Sequence, residues 1–167
     1  MEIYHITKGA PEGLYKAYDY VRTDAFCIGQ GIPIEIEFSD DEAKEELQAV
    51  VLMEDHKPVG GCRITYPKEG VGKIERVCVV REKQKGGYGR IMIEDAEKWI
   101  AESCVKHIVI NSQDRAAGFY NKIGYATNYE VSPSVYEKSR VKKKETPQKE
   151  EEKIDLGFST VLVEKFL

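Results

Sequence analysis

A chain of 167 residues leaves room for one domain with an insertion, at about 150 residues per domain. Hydrophobic residues at 41% and charged residues at 32% supply a core beneath a solvated surface, which excludes wholesale disorder. A net charge of -4 argues against a dedicated nucleic-acid or anionic-membrane binder, whose phosphate contacts require a basic surface.

Glu2 to Thr7 reads as a first strand, closed by Gly9 and Pro11. Leu14, Ala17, Tyr18, Val21, Ala25 and Ile28 then recur at three- and four-residue steps and predict one apolar helical face. The breakers from Gly29 to Pro33 end it, and the acidic stretch Ser39 to Glu46 is expected to form a short second helix. Leu47 to Glu54 and Val59 to Tyr66 flank Asp55-His56-Lys57-Pro58 as an antiparallel hairpin, and Ile74 to Val80 is the next strand.

Beyond it the period changes from strand to helix. Met92, Ala96, Trp99, Ile100 and Ser103 lie on one helical face. His107 to Ile110 reads as a short buried strand, and Asp114 is expected to cap a helix that runs through Asn121 and closes on Gly124 in the left-handed conformation. Gly157 to Phe166 is strand-like. Between the last strands lies a charged insertion at about 139–153, with Lys142-Lys143-Lys144 followed by Glu150-Glu151-Glu152, a composition that predicts a solvated loop. The order predicts an α/β fold: a mixed central sheet of about six or seven strands with helices on both faces.

Cys27, Cys62, Cys78 and Cys104 show no C-x-x-C pair and no histidine at ligand spacing, so no metal site and no disulfide framework is expected. The opening Met-Glu-Ile-Tyr-His lacks the basic and apolar regions of a leader. A cytoplasmic protein without membrane or nucleic-acid partners is therefore expected.

Gln84-Lys85-Gly86-Gly87-Tyr88-Gly89-Arg90 joins a strand to an amphipathic helix. Backbone N–H groups at a helix start, with Cβ atoms absent at three positions, form a cradle for an anion such as a diphosphate; a plain tight loop is the alternative. Two nucleotide-binding motifs fail here. G-x-G-x-x-G breaks at Met92, and Gly89-Arg90-Ile91 lacks the G-K-S or G-K-T end of a P-loop.

The Q-x-x-G-x-G pattern after Val77-Cys78-Val79 resembles the acyl-CoA pyrophosphate motif of the GNAT acyltransferases. Asn111-Ser112-Gln113, Ala116 and Phe119-Tyr120-Asn121-Lys122-Ile123-Gly124-Tyr125 are similar to a second signature of that family. Upstream, Arg22, Phe26, Gln30-Gly31-Ile32-Pro33, Glu35, Glu37-Phe38 and Asp41 resemble the acceptor segment, of E-Q-G-I-P type, of one bacterial branch. The three matches run in family order from about Arg22 to Tyr125.

The resemblance implies a single GNAT-like domain over residues 1–167 that uses acetyl-CoA as co-substrate, without a metal, to acetylate a primary amine of a small molecule or protein. It implies a strand over Ile74 to Val80 that splays from its neighbour, with the pantetheine arm along Val77, Cys78 and Val79 and a backbone N–H near Val79 on the thioester. Gln84, Lys85, Gly86, Gly87, Tyr88, Gly89 and Arg90 would hold the pyrophosphate, with Gln113, Ala116 and Phe119 completing the cofactor site. Tyr120 matches the position that protonates the leaving thiolate.

Strand alternation sets Glu75 on a face with Val77 and Val79 and makes it the candidate base; an ion-paired strand residue is the alternative. Gln30, Glu35 and Glu37 are candidates for the acceptor wall, with surface acids as the alternative for the two glutamates. The chain departs from the branch at Gly29, where the branch carries glutamate, and has no histidine after His107. An acyl-CoA sensor that transfers nothing is the second reading. A homodimer is left open.

Overall fold

The computed structural model describes residues 1–39, 44–137 and 159–167. Seven strands form one sheet in the order β1-β2-β3-β4-β5-β7-β6. They are Glu2–Ile6 (β1), Ala49–Glu54 (β2), Lys57–Lys68 (β3), Val71–Val79 (β4), His107–Gln113 (β5), Ala126–Asn128 (β6) and Thr160–Phe166 (β7). Every neighbouring pair is antiparallel except β4 and β5. The helices are Glu12–Arg22 (α1), Ile34–Glu37 (α2), Tyr88–Glu102 (α3) and Ala117–Lys122 (α4).

Helices cover both faces, as the sequence predicts. On one face Met92, Ile93, Ala96 and Ile100 of α3 and Tyr120 of α4 pack against Leu52, Ile64, Ile74 and Ile108. On the other, Tyr15, Ala17 and Tyr18 of α1 cover Ile6, Ala49 and Val51, and Val21, Ala25 and Phe26 cover Cys78 and Val80. The strands β2 and β3 are buried on both faces, which explains their near-continuous apolar runs.

Several elements depart from the sequence reading. The first helix widens into a π-helical stretch over Thr23–Ile28, so the 3.6-residue spacing lapses and Ile28 ends 59% exposed instead of on the apolar face. The second helix forms at Ile34–Glu37, just after Pro33, whose fixed φ suits a helix start; the expected one fails where it is described, since Glu45 and Glu46 lie in a turn and 40–43 fall outside the described residues. The hairpin turn is Asp55-His56 alone, both residues at positive φ (50° and 62°), the conformation of a two-residue turn matched to strand twist.

Strand β5 runs on to Gln113 because β7 pairs with it over its whole length. Asp114 opens a 3₁₀ turn without capping it by its side chain, and its carboxylate instead accepts a hydrogen bond from the Ser159 hydroxyl. Gly124 closes α4 at φ +100°, as its position implies. Strand β6 is not foreseen, being three residues long. The charged insertion at 139–153 and Asp41 lie outside the described residues.

Candidate active site

Strands β4 and β5 pair only at Val71 with His107, Gly72 with Ile108 and Lys73 with Val109. Beyond that point each keeps only its outer neighbour: β4 stays on β3 as far as Val79 opposite Gly60, and β5 stays on β7 as far as Gln113 opposite Thr160. The two strands therefore part like a wedge. A cleft of about 350 Å³ opens between them, lined by Ile74, Val77, Ile110, Gln113, Ala116 and Tyr120 among others. The Val80 N–H donates to the Val59 carbonyl at 2.9 Å. Because successive residues of an antiparallel strand point their N–H groups to opposite sides, the N–H of Val79 turns away from β3 and towards the gap.

The glycine turn lies beyond the end of β4. A 3₁₀ turn over Arg81–Lys83 leads into it, and Gln84 fixes it by donating from Nε2 to the Val79 carbonyl at 3.3 Å. Lys85 and Gly87 both take positive φ, 67° and 84°. Gly87 precedes the first turn of α3 with no side-chain cap, so the first N–H groups of this fifteen-residue helix are not taken by a capping side chain. A Cβ at Gly89 would lie 3.1 Å from Cζ of Phe119, so a side chain here would press on the aromatic ring of α4. The side chains of Tyr88 and Arg90 have partners elsewhere: Tyr88 donates to Glu54 at 2.7 Å and Arg90 to Glu94 at 2.8 Å. What this turn offers an anion is backbone, beside the exposed Lys85.

Tyr120 reaches the cleft from α4. It is buried, with its ring edge-on to Phe119 at 5.1 Å and to Tyr125 at 5.9 Å. Burial, with lesser contributions from the Cys62 and Cys78 thiols, pushes its phenol well above the ordinary tyrosine value. It stays a proton donor at neutral pH.

Residues 13–125 match the model of the acetyltransferase (GNAT) family. The chain belongs to the GNAT acetyltransferase family. It is 37% identical over 106 residues, 64% of this chain and 74% of the relative, to the uncharacterized N-acetyltransferase YjcF of Bacillus subtilis (strain 168). Its fold matches the crystal structure of an acyl-CoA N-acyltransferase from Pseudomonas aeruginosa, with a TM-score of 0.72 at 15% identity over 98% of each chain. It also matches PaiA N-acetyltransferase from Thermoplasma acidophilum in complex with coenzyme A, with a TM-score of 0.64 at 13% identity over 100% of each chain.

In this GNAT chain the expected face of Glu75 is not observed. Gly61 opposes Cys78 while Arg63 opposes Glu75, so β4 carries one residue more than β3 across this interval. The extra residue makes a bulge at Arg76, which takes φ +52°. The bulge shifts the alternation by one: Val77 and Val79 join Ile74 on the α3 face, and Glu75 turns to the other, from which it still lines the cleft. There Arg63 donates to it from Nε at 2.9 Å and Nη2 at 2.6 Å, the Thr65 hydroxyl at 3.3 Å, and Lys73 Nζ lies at 3.0 Å. Burial works to raise its carboxyl, but Arg63 and Lys73 outweigh burial and hold it below the usual glutamate value. Four donors and a lowered pKa make a poor proton acceptor.

The remaining sequence candidates divide. Gln113 and Gln30 meet, Gln113 donating from Nε2 to Gln30 Oε1 at 2.9 Å, and both line the cleft. Glu37 also lines it but is 4% exposed and held by the buried Arg22 at 3.0 Å. Glu35 is exposed on the outer side of α2 and is not among the lining residues. Cys78 lies in β4, but its side chain packs on the α1 face, where burial drives its thiol far above the ordinary value, and by the same alternation its N–H turns towards Gly61 of β3. Phe26, Ile32, Ile36, Arg76 and Asn111 also line the cleft. Phe26 and Ile32 stand in the quoted motif, but nothing local in sequence marks Arg76.

Among the described residues, no group of three or more His, Cys, Asp or Glu side chains could hold a metal ion. No helix there is long and apolar enough to cross a membrane.

Proposed function

We propose that this GNAT acetyltransferase is a single domain that binds acetyl-CoA in the wedge between β4 and β5 and transfers the acetyl group directly to a primary amine of a small molecule or protein. The observation that carries this reading is the wedge itself. One of its strands has an edge without a neighbour and an N–H at Val79 aimed into the gap, and beyond the end of that strand lies an uncapped helix start with glycines at 87 and 89. An edge of this kind accepts an extended amide-bearing arm as a further strand, and a glycine-opened helix N-terminus accepts a diphosphate. These two features fit the two ends of an acyl-CoA.

The chemistry follows from the groups that line the cleft. The acceptor nitrogen attacks the thioester carbon and forms the C–N bond. The Val79 N–H stabilises the negative charge that develops on the carbonyl oxygen, an effect worth a few kcal/mol in the transition state. As the C–S bond breaks, Tyr120 donates its phenolic proton to the departing sulfur. The proton lost by the amine passes to water, since Glu75 and Glu37 are both engaged by cations.

A screen of primary amines with acetyl-CoA, read by release of free thiol and by the mass of the acetylated product, tests the proposal. Amine-dependent thiol release with a matching product supports it. Tight acetyl-CoA binding without product for any amine leaves the sensor reading in its place.

A further inference from the structure

Three charged residues from three elements form a chain beside the cleft. Arg22, at the end of α1, is fully buried and donates from Nε to Glu37 Oε1 at 3.0 Å and from Nη2 to the Glu37 carbonyl at 2.8 Å. Its guanidinium also lies 5.0 Å over the Tyr18 ring and 4.3 Å over the Phe38 ring, so both hydrogen bonding and stacking fix it. The same Glu37 oxygen lies 3.2 Å from Nε of Arg76. Arg76 is the extra residue in β4 and takes φ +52°, a conformation that costs a residue with a Cβ and persists only where its surroundings hold it.

We infer that Arg22, Glu37 and Arg76 are positioning residues: the ion-pair chain, buried at Arg22 and Glu37 and half-buried at Arg76, holds the β4 bulge in its left-handed conformation and thereby sets which way Val77 and Val79 face. The inference rests on the acetyl-CoA site proposed above. With the bulge in place, Ile74, Val77 and Val79 share the α3 face. Without it, period-two alternation would pair Ile74 with Cys78 and send Val77 and Val79 to the opposite face, and the N–H directions would reverse with them. Glu37 thus acts as a strut between the acceptor segment and the acyl strand, and does not touch the acceptor. Where residue 76 carries a Cβ, breaking the strut alters the acyl site, although none of the three side chains needs to touch acetyl-CoA; a glycine there holds the left-handed conformation without the strut.

Two substitutions at one position separate conformation from charge. Glycine takes positive φ without a steric cost, whereas valine strongly resists it. We expect Arg76→Gly to bind acetyl-CoA within about threefold of wild type in calorimetry, and Arg76→Val to bind it about tenfold more weakly or worse. Turnover should follow the same order, with the acceptor KM moving less than kcat. Melting curves establish that each protein is folded; if Arg76→Val does not fold, Arg76→Ala, which resists positive φ less, replaces it with a smaller loss expected in the same direction.

Equal acetyl-CoA affinity in the glycine variant and its β-carbon-bearing counterpart would overturn the inference. So would a rise in acceptor KM alone in Arg76→Gly, which would make Arg76 an acceptor contact. Because the deciding readout is binding, it stands whether or not an amine acceptor is found, so its failure is distinguishable from failure of the proposed transfer reaction.

Discussion

Gln113, the last residue of β5, donates from Nε2 to Oε1 of Gln30 at 2.9 Å, and Arg115 donates in turn to Gln113 Oε1 at 2.9 Å. The pair ties the strand on one side of the cleft to the helical residues that directly follow the π-helical stretch. One neutral hydrogen bond contributes about 1 kcal/mol. Gln30→Ala is therefore expected to raise the acceptor KM by roughly two- to tenfold while leaving acetyl-CoA affinity unchanged; steady-state kinetics and calorimetry on the same protein check both halves.

Gly87 carries φ +84° with open space around the position of its missing Cβ. A side chain there clashes with nothing in the protein but strains the backbone by about 1 to 2 kcal/mol and enters the space an anion would use. Gly87→Val is expected to fold, with a slightly lowered Tm, and to lose at least about tenfold in CoA affinity. Undiminished affinity in calorimetry would remove this turn from the binding site.

Glu75 gives a pH dependence of stability with a defined sign. Its folded pKa lies below the ordinary glutamate value, so the stabilisation it brings is present above the unfolded pKa, near about 4.3, and is lost as pH falls through the lower, folded value. Glu75→Gln is expected to cost about 3 kcal/mol at neutral pH, because it strands the buried Arg63 and Lys73, and to flatten the acid limb of a stability-versus-pH curve. Denaturant titrations across acid and neutral pH check this. An unchanged neutral-pH stability would show that the network contributes little.

The two buried cysteines argue against an acetyl-enzyme formed on either of them. Burial raises the Cys62 thiol to about 12 and raises Cys78 further, so neither forms a thiolate at neutral pH. Alkylation of the native protein should reach the exposed Cys104 and spare Cys62 and Cys78. Mass spectrometry after incubation with acetyl-CoA alone should find no acetylated cysteine at 62 or 78.

What was legible in the sequence divides along physical lines. The turn over Gly86 to Arg90 could be read because its signal is local: glycines between a strand and an apolar-periodic helix mark the place where the chain turns. The mixed sheet with helices on both faces could be read from periodicity and family resemblance together, all but the three-residue β6. The face of Glu75 could not, because the bulge at Arg76 depends on register against β3 and on an ion pair to Glu37, thirty-nine positions away in the chain. The exposure of Ile28 escaped for a similar reason, since a π-helical stretch breaks the spacing from which a helical face is inferred. The wedge between β4 and β5 arises from strand pairing across the sheet, and only the resemblance to the family pointed to it.

The most direct test of the central claim compares wild type with Tyr120→Phe in one experiment, measuring acetyl-CoA binding by calorimetry and amine-dependent thiol release by initial rates. Removing one hydroxyl leaves the ring packed against Phe119 and Tyr125 and takes away the proton donor for the leaving sulfur. The expected result is acetyl-CoA affinity within about twofold of wild type and a kcat lower by roughly 10²-fold. Equal kcat in the two proteins, with binding intact, would contradict the assignment of Tyr120 and the acid step built on it.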